Sequence, residues 1–292
     1  MTEASVSCDI IIVNYNAGEW LQRSIRSALN YAGARVIVVD NNSSDDSVDN
    51  AKRNIDSERL KWIINQGNRG FAAANNQALA TLDTDYAVLM NPDCELHDGA
   101  LDHIFSAFKE SPKMGLASAR ILNEDGSLQA TCRRRFPTPW SALVRMLHLH
   151  QIFPNNQKFA DFDYGDTVDA SGPIENVEAI SGAFMVVRKS ALADVGLLDE
   201  DYFMHCEDLD WCKRFALAGW NVSLVPQASV LHAKGVSSQS RPVRVLWTLH
   251  RGMNRFFDKF YKTEYSLPVR LIVKMGIYAS FAIRSLKAVL LR

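Results

Sequence analysis

The sequence lacks the features that mark disulfide scaffolds, zinc fingers and membrane-spanning proteins. Its five cysteines are odd in number and none forms a C-x-x-C pair, which argues against a disulfide framework or metal finger and favours a reducing compartment. No stretch reaches the roughly 18 uncharged apolar residues that a spanning helix needs. Residues 1–7 have neither the basic nor the apolar region of a secretory signal. These absences predict a cytoplasmic protein.

Two common nucleotide-binding signatures are also missing. The chain has no G-x-G-x-x-G fingerprint and no P-loop, which disfavours a nucleotide-dependent oxidoreductase and a Walker-type site. The net charge is only −1, but residues 242–292 hold ten Lys or Arg and two Asp or Glu, so the first 241 residues are acidic. An acidic body fits poorly with nucleic acid as a partner.

Short apolar runs alternate with amphipathic segments through the first third of the chain. Because strands separated by helices of this length imply right-handed parallel crossovers, we expect an α/β fold with a doubly wound, mostly parallel central sheet flanked by helices. Asn16 would cap the first helix. The predicted strands are Cys8–Val13, Val36–Val39, Leu60–Ile64 and Tyr86–Met90, and the third helix is Phe71–Leu82.

Polar groups follow several of these strands, at the sheet edge where open α/β folds bind ligands. Asp40 would act either as a turn residue or as an acceptor for a ribose hydroxyl or base N–H. The loop with Arg69 and Gly70 would bring backbone N–H groups toward a phosphate. Pro92 turns the chain outward, and Asp93 after it suits Mg²⁺ or Mn²⁺, unless it only caps the next helix.

The segment from Ala179 to Ser238 is rich in acidic and aromatic residues. A strand predicted over residues 180–187 contains Gly182, which would let a ligand approach closely. Glu207, Asp208 and Asp210 open a predicted helix, where they would complement its dipole or perform chemistry. Three acidic residues that follow an aromatic-rich segment favour a catalytic role over a purely structural one.

The middle of the chain is less regular. Residues 136–176 read as a variable insertion, partly helical around Trp140–Leu149, that would shape an acceptor site. The run Arg133-Arg134-Arg135 is typical of a solvated face, with binding of an anionic acceptor phosphate as the alternative.

A set of motifs from Val13 to Ser238 resembles the family-2 glycosyltransferases of the GT-A fold, particularly their bacterial rhamnosyltransferase-like branch. One such motif would be a weak signal, but here the whole set follows the family's order. The matching pieces are V-N-Y-N, V-V-D-N-N-S-S-D, N-R-G-F-A-A-A-N-N, L-M-N-P-D, G-A-F-M-V-V-R, G-L-L-D-E-D-Y-F-M-H-C-E-D-L-D-W-C-K-R and V-L-H-A-K-G-V-S-S.

The resemblance implies an inverting, metal-dependent sugar transferase of cell-envelope polysaccharide synthesis. Resemblance to the rhamnosyltransferase-like branch favours dTDP-rhamnose as the donor, with a UDP-hexose or UDP-galactofuranose as the alternative. The acceptor would be a saccharide or a polyprenyl-diphosphate-linked glycan. Residues 1–240 would form the GT-A domain, with a nucleotide-binding half to about residue 120 and an acceptor half after it. A non-catalytic nucleotide-sugar-binding module is the alternative, disfavoured because Asp93, Asp208 and His232 are all present.

The resemblance also implies roles for individual residues. Asp208 would be the general base with Glu207 and Asp210 as supports, and as like charges these neighbours would raise its pKa. Asp93 and His232 would hold Mg²⁺ or Mn²⁺, with Asn91 in place of the first acid of the family's Asp-x-Asp motif. The residues expected to contact the nucleotide-sugar are Asn14, Tyr15, Asn16, Asp40, Arg69, Gly70, Asn91 and Gly182.

Residues 241–292 form a basic, amphipathic helical tail. Two helices are predicted, Val243–Tyr261 and Leu267–Leu291, each with apolar and basic residues. Such helices would lie on an anionic membrane surface, which places the enzyme peripherally on the inner face of the cell membrane. The alternative is a helical cap packed on the catalytic core.

Overall fold

Strands and helices alternate through the first half of the chain, as the sequence predicts. The computed structural model describes residues 5–153, 156–159, 164, 167–233 and 242–290. The first elements are β1 (Cys8–Asn14), α1 (Glu19–Asn30), β2 (Ala34–Asp40), α2 (Ser47–Asn54), β3 (Leu60–Ile64), α3 (Phe71–Leu79), β4 (Tyr86–Met90), β5 (Cys94–Leu96), α4 (Ala100–Glu110) and β6 (Met114–Leu122).

The second half is less regular and ends in two long helices. The motif V-L-H-A-K-G-V-S-S continues beyond Ala233 into residues outside the described ranges, and so does the predicted domain boundary at residue 240. The remaining elements are β7 (Arg133–Arg134), α5 (Pro139–Met146), α6 (Leu149–Ile152), β8 (Glu175–Asn176), β9 (Ala179–Ile180), β10 (Phe184–Arg188), α7 (Lys189–Val195), α8 (Glu207–Leu217), β11 (Asn221–His232), α9 (Pro242–Phe260) and α10 (Leu267–Leu290).

Nine strands form one sheet in the order β3-β2-β1-β4-β10-β6-β11-β5, with β8 paired to β11. Strands β1 to β4 are mutually parallel, and β6 is parallel to β11. Strand β10 runs antiparallel between β4 and β6. The α/β, doubly wound sheet flanked by helices is therefore confirmed. Strand β10 is reversed at the centre of the sheet, and β5 and β8 are reversed beside β11.

Hydrophobic cores lie on both faces of this sheet. In β1, Ile10 packs on one face with Leu21 of α1, whereas Ile11 packs on the other face with Ala78 of α3. Because both faces are covered, the strand reads as a continuous apolar run without alternation. This packing fixes the carboxyl ends of β1, β2 and β4 at one edge.

Three local expectations were wrong. Asn16 does not cap α1, since that helix begins after Gly18 and Asn16 has a left-handed φ of 54°. The helix predicted around Trp140–Leu149 is divided into α5 and α6, with His148 in a left-handed conformation between them. The strand predicted over residues 180–187 is interrupted: β9 pairs with β7 in a separate ribbon, and β10 begins only at Phe184.

The two C-terminal helices pack on each other, and α9 also packs on the catalytic part of the chain. Phe256, Phe257 and Tyr261 are buried in the core that contains Trp211 of α8. No helix in the described ranges is both long enough and apolar enough to cross a bilayer.

Candidate active site

Hydrogen bonds join the carboxyl ends of β1 and β2. The Asn14 amide donates to Asp40 Oδ1 at 2.8 Å, and Asp40 Oδ2 accepts the Ser43 N–H at 3.0 Å. Asp40 is only 3% exposed, so its carboxylate does fix the turn after β2, as one of the two sequence interpretations held. Asn14 Oδ1 is buried and has no hydrogen-bond partner among the described residues, which leaves one acceptor at this edge uncommitted.

The Asn14–Asn16 turn lies beside the loop that follows β2. Asn16 Oδ1 accepts the Ser44 N–H at 2.7 Å, and the Gly18 N–H donates to Asp45 at 2.9 Å. Tyr15, between Asn14 and Asn16, is half-buried. The two loops therefore form one polar wall at the ends of β1 and β2.

The loop before α3 depends on a glycine. Gly70 has a φ of +86°, and a Cβ there would lie 2.4 Å from the carbonyl oxygen of Phe203. That carbonyl accepts the Phe71 N–H at 2.8 Å, while Asn41 donates to the Gly70 carbonyl at 3.1 Å. Arg69 is exposed at the tip. Sequence reasoning missed Asn41, although it follows Asp40 directly.

Asp93 and His232 meet after Pro92 turns the chain out of β4. Asp93 Oδ1 lies 3.3 Å from His232 Nε2, and the Asn91 amide lies 3.4 Å from the same nitrogen. Asp93 and His232 are both buried. Cys94 is adjacent, but burial and the charge of Asp93 raise the pKa of its thiol far above the usual range, so it stays protonated.

Gln129 orients the imidazole of His232. The Gln129 Nε2 donates to the His232 carbonyl at 2.9 Å, so its Oε1 is left to accept a hydrogen bond from the Nδ1–H of His232 at 3.0 Å. This assigns the lone pair to Nε2, on the side of Asp93, and such an outer hydrogen bond is usual for metal-binding histidines. The sequence analysis did not identify Gln129, because the residues around it form no metal-binding pattern.

The donor set at this position fits a divalent cation. A carboxylate oxygen is a ligand that Mg²⁺ and Mn²⁺ both prefer, with substrate phosphates completing such sites, whereas the imidazole nitrogen beside it suits a transition ion such as Mn²⁺ better than Mg²⁺. The ligand atoms of Asp93, Cys94 and His232 lie within 4.8 Å of one another, and Asp93 and His232 come from the ends of β4 and β11.

Asp208, in the first turn of α8, is buried and bonded on both carboxylate oxygens. Its Oδ2 accepts the Gly182 N–H at 3.0 Å and Arg134 Nη2 at 2.5 Å, and its Oδ1 accepts the Leu209 N–H at 2.8 Å. A Cβ at Gly182 would lie 3.3 Å from Asp208 Cβ. Gly182 thus lets the Asp208 side chain approach the backbone closely.

Arg134 corrects two expectations. The arginine run was expected to be a solvated face, but Arg134 lies inside and pairs with Asp208. Burial acts to raise the pKa of Asp208, yet the guanidinium and the backbone hydrogen bonds outweigh it and lower that pKa below its usual range. The expected rise from Glu207 and Asp210 was wrong, because the cation that dominates lies 74 residues away in sequence.

The two neighbouring acids have different environments. Burial, together with the charge of Asp208, raises the pKa of Glu207 to about 8, and its Oε2 has no hydrogen-bond partner within the described ranges. Asp210 is fully buried and forms ion pairs with Arg214 and with Lys259 of α9, each at 2.7 Å. Asp210 therefore holds α8 against α9.

The three residues Ser181–Ala183 connect Asn91, which lies beside Asp93, to Asp208. The Ala183 carbonyl accepts the Asn91 N–H at 2.9 Å, and the adjacent Gly182 N–H binds Asp208. The break between β9 and β10 thus places one acidic motif on each side of a three-residue segment.

Comparison with known proteins agrees with this geometry. The family model described as glycosyl transferase family 2 matches residues 9–174, more than half of the chain. The N-acetylglucosaminyl-diphospho-decaprenol L-rhamnosyltransferase of Mycobacterium tuberculosis is 28% identical over 94% of this chain and 91% of its own. Rhamnosyltransferase WbbL of Escherichia coli is 31% identical over 58% of this chain and 62% of its own.

The fold is shared with solved structures as well. The mannosyltransferase PcManGT of Pyrobaculum calidifontis, solved with GDP-Man and Mn²⁺, has a TM-score of 0.59 and 14% identity over 96% of this chain and 70% of its own. This likeness confirms the GT-A fold. With the sequence match over residues 9–174, it leads to one conclusion: the chain belongs to glycosyl transferase family 2 and is a glycosyltransferase with rhamnosyltransferases among its relatives.

Proposed function

We propose that this enzyme transfers rhamnose, with inversion and with a divalent cation, from dTDP-rhamnose to a sugar linked to polyprenyl diphosphate in cell-envelope polysaccharide synthesis. The observation that carries the proposal is the segment Ser181–Ala183, which bonds to Asn91 beside Asp93 on one side and to Asp208 on the other. The similarity to the mycobacterial enzyme, named for a decaprenyl-diphosphate-linked acceptor, supports this choice of donor and acceptor.

Asp208 is the general base of the proposed reaction. The acceptor hydroxyl oxygen forms a bond to the anomeric carbon while the bond from that carbon to the nucleoside diphosphate breaks, and the hydroxyl proton moves to Asp208. The lowered pKa keeps Asp208 ionised, although it makes the carboxylate a weaker base. The proton therefore leaves late, when bonding to the electron-poor anomeric carbon has made the hydroxyl acidic.

Asp93 and His232 would hold Mn²⁺ or Mg²⁺, with Gln129 fixing the His232 ring. A bound cation supplies stabilisation for the negative charge that develops on the departing diphosphate. The nucleotide would bind on the other side of the site. Its nucleobase, ribose and phosphates would contact the wall formed by Asn14–Asn16, the turn at Asp40 and the loop at Arg69 and Gly70.

A panel of nucleotide-sugars tests the donor and the two acids together. We expect metal-dependent turnover of dTDP-rhamnose, with UDP-hexose and UDP-galactofuranose as the competing donors.

Asp208→Asn should lower turnover by about 10²-fold or more because the proton acceptor is lost, while nucleotide binding measured by calorimetry is retained. Asp93→Asn should weaken the response to Mn²⁺, and Asp102→Asn, on the exposed face of α4, is the matched control.

Two results would contradict this proposal. Full turnover by Asp208→Asn would remove that carboxylate from its role. Undiminished turnover in the presence of a chelator would remove the cation from the mechanism, whichever donor is used.

A further inference from the structure

A cleft of about 290 Å³ lies between α9 and the loop that precedes α8. Phe203 lines it from the loop, and Arg244, Trp247 and Arg251 line it from successive turns of α9. This volume is at the lower end of the range for small-molecule sites. The cleft therefore suits a compact group better than a whole nucleotide-sugar.

The cleft is positively charged. Arg244 and Arg251 are exposed, and neither forms an ion pair with any residue that the structure describes; Arg244 lies 5.6 Å from the ring centre of Phe203. One carboxylate, that of Asp201, also lines the cleft, but it is paired with Arg255 at 2.5 Å. Two guanidinium groups thus remain available for an anion, and paired donors of this kind suit phosphate oxygens.

The floor of the cleft is formed by the loop that precedes α8. Gly252 of α9 packs so closely on this loop that a Cβ there would lie 2.8 Å from the His205 carbonyl and 3.2 Å from Cys206 Cβ. Cys206 is the residue before α8, and Asp208 follows two positions later. A ligand held in the cleft therefore lies next to the loop that carries the base.

An aromatic wall leads from the cleft toward α10. Trp247 packs on Tyr278 at 6.4 Å and on Phe281 at 5.4 Å between ring centres. Beyond them, α10 presents exposed apolar side chains such as Met275. The cleft thus has a cationic side near the base and an apolar side that continues along the tail.

We propose that this cleft binds the diphosphate of the polyprenyl-linked acceptor, with Arg244 and Arg251 on its oxygens and the lipid passing Trp247 toward α10. The inference rests on the proposed function, since it names the site for that acceptor. The nucleotide diphosphate is excluded as the occupant, because its expected position is the Asp93 and His232 pair at the ends of β4 and β11.

Two acceptors that differ only in the diphosphate test the assignment: N-acetylglucosaminyl-diphospho-farnesol and octyl N-acetylglucosaminide. The double variant Arg244→Gln/Arg251→Gln should raise KM for the first by about 10-fold or more, the effect of losing a hydrogen bond to a charged group. KM for the second and hydrolysis of the donor without acceptor should not change. Arg26→Gln, an exposed arginine on α1, is the matched control.

Calorimetry with the diphosphate acceptor in the absence of donor separates this inference from the proposed function. Binding to the wild type that weakens by about 10-fold or more in the double variant supports the cleft even if no donor is turned over. An unchanged KM and affinity would overturn it, and so would an equal loss with both acceptors. Parallel loss of binding to anionic vesicles without acceptor would show that the arginines contact lipid headgroups instead.

Discussion

Arg134 lowers the pKa of Asp208 and so sets the pH range in which Asp208 would work as the proposed base. Its guanidinium lies 2.5 Å from Asp208 Oδ2 and also donates to the Ile180 carbonyl at 2.7 Å. Burial alone would raise the pKa of Asp208, and this arginine is the largest of the effects that reverse it. We therefore propose that Arg134 is a positioning residue that acts through Asp208.

Replacing Arg134 should move the acidic limb of the pH profile. Asp208 has a lowered pKa, so it is ionised well into the acidic range; Arg134→Gln removes the cation, burial then raises the pKa, and the base is protonated at higher pH. We expect the acidic limb of kcat/KM to move upward in Arg134→Gln and to stay near the wild type in Arg134→Lys. An unmoved limb in a folded Arg134→Gln protein would contradict this role.

Only some of these residues were predictable from sequence. Asp93 follows an apolar strand, His232 ends one, and Asp208 lies in the first turn of a helix. Such positions are visible in a linear pattern, but the roles expected of Asp208 and His232 came from the resemblance to the family. Arg134 and Gln129 reach their partners through tertiary contacts: Arg134 lies on β7, whose pairing with β9 sets it beside Asp208. No periodicity in the sequence encodes that pairing, so one arginine in a run of three cannot be singled out.

Among the elements, the contact of α9 with the loop before α8 carries unusual backbone geometry. His205 and Cys206 both have left-handed φ values, 73° and 70°, a conformation that is costly for side chains other than glycine and common at functional sites. Gly252 packs on this pair. Since Asp208 follows Cys206 by two positions, α9 helps hold the proposed base in place.

A methyl group at Gly252 should therefore destabilise the protein. Because its Cβ would lie 2.8 Å from a backbone oxygen, we expect Gly252→Ala to cost about 1–3 kcal/mol in urea unfolding, as overpacking does. Gly276→Ala is the matched control, since a Cβ there has no neighbour within 4 Å, and it should stabilise α10 by up to about 1 kcal/mol. Equal effects of the two substitutions would show that the contact does not matter.

Element boundaries followed from local signals wherever packing agreed with them. Strands β3 and β4 begin and end where the apolar runs do. The interruption at Ser181–Ala183 was not predictable, because the run from Ile180 to Val187 is apolar or small throughout and its two ends pair with different sheets. The strands with which the two ends pair, rather than the composition of the run, determine where the strand is interrupted.

Across the whole molecule, charge pairs tie the tail to the acidic body. Lys259 lies 2.7 Å from Asp199 and 2.7 Å from Asp210, and Arg255 pairs with Asp199 at 2.9 Å. Helix α9 is therefore a cap on the catalytic part, which was the alternative for this helix. Helix α10 differs, because between Leu267 and Leu290 only Ile277 is buried.

Helix α10 leaves an apolar, basic surface uncovered within the described chain. Its exposed apolar residues include Leu271, Met275 and Leu286, each more than half exposed, and the same helix carries the exposed basic residues Arg284 and Lys287. Helices of this composition bind in the interface of anionic bilayers, with about 1 kcal/mol from each basic residue near the surface. We propose that α10 holds the enzyme at the membrane that carries its acceptor.

Flotation with vesicles tests this surface in the full-length protein. The wild type should float with vesicles containing anionic lipid and much less with neutral ones, and raised salt should weaken binding because it screens the basic residues. The triple variant Leu271→Ser/Met275→Ser/Leu286→Ser should bind at least about 10-fold more weakly, since each apolar side chain withdrawn from water contributes roughly 1–2 kcal/mol. All three side chains are exposed, so its thermal unfolding should match the wild type. Leu217→Ser, 69% exposed on α8, controls for loss of a surface leucine, and flotation of the triple variant equal to that of the wild type would exclude α10 as the membrane contact.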